Sequence, residues 1–249
     1  MRTNSWYGWR PDLPDFRDKF YKIEIGLVPE EVLPVSVDLR PKISKIYSQG
    51  ALGSCTAQAI VGAIQYIQPE FLGSRLFLYY NERKIIGTIK EDSGAMLRDG
   101  IKSVVKDGIC PEDMWKYIIQ NFTNKPTRKC YKSAEKNQIT KYLRITNLQQ
   151  MKSCLSQGFP FVFGFSVYES FESEEVAKTG IVNMPKPDES MVGGHAVLAV
   201  GYDDKRQVII VKNSWGRVWG DKGYFTMPYE YISNKNLAND FWTIRAKEL

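Results

Sequence analysis

The hydrophobic pattern of this chain changes period near its middle. Starting at Ser54, Ala57, Ile60, Val61 and Ile64 recur at i, i+3, i+4 and i+7, one face of a helix, with Ser54 placed to cap it and Pro69 barring its continuation. A second helix is predicted from near Ser74 to Gly87. A third carries Leu97, Ile101, Val104 and Val105 on one stripe and stops at Gly108. Asn147 is placed to cap a short helix with Leu148, Met151 and Leu155 inward and Gly158 after it. Beyond that point the pattern is that of strands. Residues 159–171, 195–202, 208–212 and 223–227 are rich in β-branched and aromatic side chains, with turn residues such as Asp203-Asp204-Lys205 between them. A helical part followed by a mostly β part predicts an α+β protein with two lobes, and a cleft between lobes is a common place for a site.

Residues 1–33 break the pattern. Trp6-Tyr7-Gly8-Trp9-Arg10-Pro11-Asp12-Leu13-Pro14-Asp15-Phe16 follows neither period and reads as an extended segment lying on something, with a boundary near Leu33-Pro34. The segment is close to charge balance, with five basic and six acidic residues, in a chain of net charge +6. The excess of positive charge is local: Lys125, Arg128, Lys129, Lys132, Lys136, Lys141 and Arg144 stand against Glu135 alone. No nucleic-acid-binding motif accompanies them, so they read as a solvated connector and no nucleic-acid partner is expected. No stretch approaches the ~20 apolar residues of a membrane span, so no membrane partner is expected. The N-terminus lacks the apolar core of a signal peptide, which predicts a soluble protein made inside the cell, cytoplasmic or packaged in a particle.

The chain of 249 residues has one histidine, His195, so histidine acid–base chemistry has one candidate. Its four cysteines form no Cys-x-x-Cys pair, and with a single histidine no metal site is expected. Cys55, in Gln49-Gly50-Ala51-Leu52-Gly53-Ser54-Cys55-Thr56, falls at the first turn of the predicted helix, where the helix dipole favours an anion and lowers a thiol pKa. Acyl transfer needs a nucleophile, a base, a group that orients the base, and donors for the oxyanion. Cys55, His195, the side-chain oxygen of Asn213, and Gln49 together with the Cys55 N–H supply one candidate for each. Taken singly, the cysteine is a small hydrophobe, the histidine a core group and the asparagine a turn residue; only the conjunction points to catalysis.

That conjunction resembles the papain-like, cathepsin-like cysteine peptidases. Gly53-Ser54-Cys55, then His195, then Asn213-Ser214-Trp215-Gly216 match the spacing of that family's nucleophile, histidine and asparagine motifs. Val37-Asp38-Leu39-Arg40 is similar to the start of the mature enzymes, and the likeness, running from about residue 34 to 230, is greatest to the type found in microbes and large DNA viruses. The resemblance implies a two-lobed fold with a helical lobe (about 34–124) and an antiparallel β-barrel-like lobe (about 145–249), with the active-site cleft between them. It implies a cysteine endopeptidase acting on peptide or protein substrates through an acyl-thioester, with no cofactor. Alternatives on the same fold are a transpeptidase or ligase and a non-catalytic peptide-binding member. Trp215 matches the family's shield over the His–Asn pair; Gly94 matches a glycine that pairs with substrate backbone, and Met96 and Ala196 line the same pocket. Family members that trim dipeptides use loop histidines; this chain has none to spare, which implies an open cleft. Leu52 stands where the family usually has a disulfide-forming cysteine, and Thr56 where it has an aromatic residue; Cys110 and Cys130 form the one pair to consider for a bridge. Family pro-segments are longer and helical, so residues 1–33 are either a short pro-segment lying across the basic body or in the cleft, processed near residues 32–35, or a structural arm packed away from it.

Overall fold

The computed structural model describes residues 7–22 and 33–245. Helices α1 (Cys55–Ile67), α2 (Arg75–Ile86) and α3 (Leu97–Asp107) form in the first half; α4 (Arg128–Ala134), α5 (Leu148–Ser156), α6 (Glu174–Thr179) and α7 (Tyr229–Ser233) are short. The local signals behave as their chemistry demands. Ser74 accepts the Phe77 N–H and Asn147 the Gln150 N–H, and Gly87 ends α2 in the left-handed region. Ser54 occupies the cap position of α1 but does not cap it, because its hydroxyl bonds Tyr117 Oη at 2.6 Å and Gln58 Nε2 at 3.2 Å. The amphipathic pattern expected of α1 understates its burial. All but its last residue are buried, because it runs between the sheet and the helices α2 and α3.

The strands β1 (Ser36–Asp38), β2 (Lys141–Arg144), β3 (Phe161–Tyr168), β4 (Met191–Asp203), β5 (Val208–Lys212), β6 (Tyr224–Pro228) and β7 (Ala238–Arg245) form one sheet. Its order is β2-β7-β3-β4-β5-β6, with β1 added to β4, and every pairing is antiparallel. This corrects the barrel-like expectation: the sheet stays open. Both outer edges are already occupied. Arg144 of β2 exchanges backbone hydrogen bonds with Lys19 and Tyr21, and Thr226 of β6 does so with Gly180 and Val182. Edge groups paired elsewhere are not available to close a barrel.

The pattern misses β1, β2 and β7, which are short or open on polar residues. Two of them alter the reading of the basic stretch. Its lysines and Arg128 are exposed as expected, but Arg144 turns inward from β2 and bonds Asp18 at 2.9 Å and Asp240 at 3.1 Å. Cys110 and Cys130 are buried free thiols that interact with one another. Leu52 is buried in the core. Among the described residues, no helix is long and apolar enough to cross a membrane.

Beside Thr56 lies a buried acid. Glu82 of α2 is fully buried; one carboxyl oxygen accepts the Thr56 hydroxyl at 2.8 Å and the other has no hydrogen-bond partner. A Cβ on Gly100 would sit 2.3 Å from that second oxygen, so α3 has room for Glu82 only because residue 100 is glycine. Burial pushes the Glu82 pKa up to about 8. A group whose folded pKa is raised contributes stability that is complete below its unfolded value and lost as pH rises through the folded one. The chain is therefore expected to lose stability between about pH 4.5 and pH 8 at this site. Glu82→Gln keeps an acceptor for Thr56 and removes the proton. Denaturant midpoints across that window should flatten in the variant; identical slopes in both proteins mean that Glu82 does not titrate there.

Candidate active site

Three elements deliver the predicted residues to one place. Cys55 opens α1, which packs on β4; His195 lies in β4; Asn213 directly follows β5. β5 runs antiparallel to β4 with Lys212 opposite Leu198, so Asn213, just past the end of β5, falls opposite Val197, on the same face of β4 as His195. Asn213 Oδ1 is 2.8 Å from His195 Nε2 and also accepts the Ser214 N–H at 2.8 Å, which identifies that atom as the oxygen. His195 therefore carries its proton on Nε2, and its lone pair is on Nδ1, which is buried without a hydrogen-bond partner. The N–H groups of Ala196, next to the histidine, and of Gly8 are directed at the Cys55 sulfur.

Trp215 covers the imidazole, with ring centroids 5.0 Å apart and a 30° tilt. Gln49 is wholly buried. Its side-chain oxygen accepts the Ser214 hydroxyl at 2.6 Å, and its Nε2 donates to Leu52 O at 2.9 Å. Gly94 lies against the Gly8 carbonyl oxygen, 2.2 Å from where a Cβ would stand, and its N–H donates to Tyr79 Oη at 3.1 Å. Met96 is the half-buried N-cap of α3. Ala196 pairs across the sheet with Gly164.

The expected open cleft is not what the structure holds: residues 7–10 occupy it. The Gly8 carbonyl accepts the Ala95 N–H at 2.7 Å, the Trp9 N–H donates to Gly194 O at 3.0 Å, and the Arg10 N–H donates to Ala95 O at 2.9 Å. The backbone pairing thus runs through Ala95, one residue past Gly94. Tyr7 packs 6.1 Å from both His195 and Trp215, and its hydroxyl donates to Glu172 at 2.5 Å. Further along, Asp12 accepts the Trp242 indole N–H at 2.8 Å, and Asp18 pairs with Arg98 at 3.0 Å and Arg144 at 2.9 Å. These polar anchors act beside Tyr7, Trp9 and Tyr21, which pack in or against the core, while Phe16 is 97% and Leu13 65% exposed. Trp6 and Val32 lie outside the described residues.

Occlusion reverses the electrostatics expected of a helix N-terminus. Cys55 and His195 are completely buried. Burial pushes the thiol up to about 12, outweighing the backbone donors around it, and pushes the imidazole down to about 4 against the Asn213 bond. Removing water penalises the charged form of each, so the closed site holds a neutral thiol and a neutral imidazole.

The sequence pattern gives no sign of Asp240, Gly164 or Glu172, which shape the cleft from β7, β3 and the turn after β3. None sits in a motif. The one local signal at Asp240 is a backbone φ of 57°, visible only in the structure.

Comparison with known proteins agrees with this geometry. The family model for papain family cysteine proteases matches residues 33–243. An uncharacterized peptidase C1-like protein of Acanthamoeba polyphaga mimivirus is 43% identical over a 269-residue alignment that covers 96% of this chain and 86% of that protein. Chymopapain from Carica papaya is 28% identical, over 91% of this chain and 69% of its own. Xylellain, a cysteine protease from Xylella fastidiosa, superposes with a TM-score of 0.90 at 44% identity, covering 99% of this chain and 98% of that one. With a buried His–Asn pair beside a helix-start cysteine, and with likeness across nearly its whole length, the chain belongs to the papain family of cysteine proteases.

Proposed function

We propose that peptide hydrolysis in this chain runs on Cys55 as nucleophile and His195 as acid and base, with Asn213 orienting the imidazole. In this reading His195 Nδ1 takes the Cys55 proton, the sulfur attacks the scissile carbonyl carbon, and the proton passes to the leaving amine. Water activated by His195 then cleaves the acyl-thioester and restores the thiol. The Cys55 N–H and the Gln49 amide receive the oxyanion, Trp215 keeps water from the His–Asn bond, and Gly94, Met96 and Ala196 line the substrate groove. The observation that carries the reading is the 2.8 Å Nε2···Oδ1 bond, which leaves the opposite ring nitrogen as the one free base in a site that also holds the thiol.

Residues 1–33 act in this reading as a short pro-segment on a peptidase unit spanning 34–249. Support comes from residues 7–10, which fill the cleft, and from the neutral state that their cover imposes on Cys55 and His195. The permanent-arm alternative, packed away from the cleft, does not account for Gly8 over the thiol.

The test is a thiol-directed peptidyl epoxide with a fluorogenic peptide substrate. Hydrolysis should stop in proportion to a single mass addition on the peptide containing Cys55. Full inhibition with the label on Cys110, Cys130 or Cys154 instead would sink the assignment.

A further inference from the structure

The loop from Gln49 to Ser54 carries both groups assigned to the oxyanion, the Gln49 side chain at its start and the Cys55 N–H just past its end. One side chain from outside ties its two ends together. The Tyr117 hydroxyl donates to the Gln49 carbonyl oxygen at 2.9 Å and lies 2.6 Å from the Ser54 hydroxyl. Its single proton is spent on Gln49, so Ser54 is the donor in the second bond. Gln49 is held from the strand half as well, where its N–H donates to Ser214 O at 2.9 Å.

Tyr117 is itself fixed. Its N–H donates to Glu112 Oε1 at 3.0 Å, and the same oxygen pairs with Arg75 at 2.7 Å. The Arg75 guanidinium lies over the Tyr117 ring at 4.5 Å and over the Tyr47 ring at 4.9 Å. Arg75 also begins a run of hydrogen bonds that all point one way. Its Nη1 donates to Gln58 Oε1 at 3.3 Å, Gln58 Nε2 donates to Ser54 Oγ at 3.2 Å, Ser54 donates to Tyr117, and Tyr117 donates to Gln49. Bonds aligned in this way polarise one another. Gln49, Ser54 and Gln58 are buried, which keeps water from competing for them. Burial also pushes the Tyr117 pKa up to about 12, so the phenol keeps the proton that it donates.

We propose that Tyr117 is a positioning residue for hydrolysis, its hydroxyl holding the Gln49 and Cys55 donors at the spacing that the oxyanion needs. The proposal rests on the peptidase reading above. Tyr117 acts through the loop and not on the reacting atoms. Donors fixed in advance stabilise developing charge without reorganising at the moment of reaction. A phenylalanine ring would fill the same space but release both ends of the loop.

The experiment compares the full-length chain with its Tyr117→Phe variant in two reactions of Cys55. Hydrolysis of a fluorogenic peptide places negative charge on the carbonyl oxygen. Alkylation by iodoacetamide displaces iodide from a saturated carbon and makes no oxyanion. Both need the same thiol, and closure by residues 7–10 slows both by the same factor, so their ratio reads the oxyanion donors alone. Loss of one such donor costs ~10²–10³, and displacement costs part of that, so kcat/KM should fall about ten- to a hundredfold through kcat, with KM and the alkylation rate little changed. If Tyr117→Phe does not fold, Ser54→Ala carries the same ratio test, since it cuts the tie nearest Cys55 and keeps the ring. Parallel falls in hydrolysis and alkylation with a lowered melting temperature mean that Tyr117 only braces the fold, and unchanged rates mean that it positions nothing. Either result overturns the proposal and leaves the peptidase reading standing. Absence of epoxide-sensitive hydrolysis in the unsubstituted chain overturns both.

Discussion

Replacing Cys55 by alanine is expected to abolish peptide hydrolysis, a fall of about 10⁶ in kcat if this triad behaves like other catalytic units that act together. In the proposed mechanism the sulfur is the atom to which the acyl group bonds, and no other described thiol lies against His195: Cys110 contacts Cys130, and Cys154 donates to Phe159 O. His195→Ala removes the chain's only imidazole and should cost at least the ~10²–10⁴ of a general acid–base group. The double variant should be no worse than the poorer single one, because half of the pair has nothing to act on. Asn213→Ala should leave measurable turnover, since Asn213 orients the ring through Nε2 and touches no reacting atom. Steady-state kcat/KM on a fluorogenic peptide is the readout. Wild-type activity in Cys55→Ala would end the mechanism outright.

Gly8→Val in the full-length chain is expected to raise peptidase activity. A Cβ on residue 8 would stand 1.7 Å from the Gly53 carbonyl oxygen, a backbone atom that cannot step aside. The segment must lift, and the contacts it gives up include the three backbone bonds of residues 8–10 with Ala95 and Gly194. At ~0.5–1.5 kcal/mol each those three bonds amount to about 1.5–4.5 kcal/mol, or ~10- to 2000-fold in the open population. Residues 12–22 stay anchored through Asp12, Asp18 and Tyr21, so the chain should remain folded. Readmitted water lets the thiol fall from about 12 and the imidazole rise from about 4, and the ion pair that attacks can form. Alkylation of Cys55 by iodoacetamide should accelerate together with hydrolysis. A lowered melting temperature with no gain in either rate would mean that residues 7–22 only brace the fold.

The helical half was legible because its signals are local. Ser74 with Gly87 and Asn147 with Gly158 bracket helices within a few residues, and a helix forms or fails over that span. The candidate site positions were legible for a different reason. Cys55, His195 and Asn213 sit in distinctive surroundings whose spacing repeats that of a known family, and the structure brings His195 and Asn213 within 2.8 Å. β2 and β7 carried no such signal. Their sequences are short, charged or mixed, and what makes them strands is the partner across the sheet.

The sequence by itself determined which residue types were available for catalysis, where the main helices run, and that residues 1–33 differ from the rest. Only the tertiary structure decided that residues 7–10 lie over Cys55 and that the thiol is neutral there. It alone decided that Arg144 is a half-buried partner of Asp18 and Asp240 rather than a solvated charge. It alone brought Asp240, 231 positions along the chain, to accept the Trp9 indole N–H at 3.2 Å. The physical reason is common to these cases. Periodicity and capping act over a few residues, whereas burial, and with it the pKa of a thiol or the pairing of a carboxylate, depends on which distant segments fold back to exclude water.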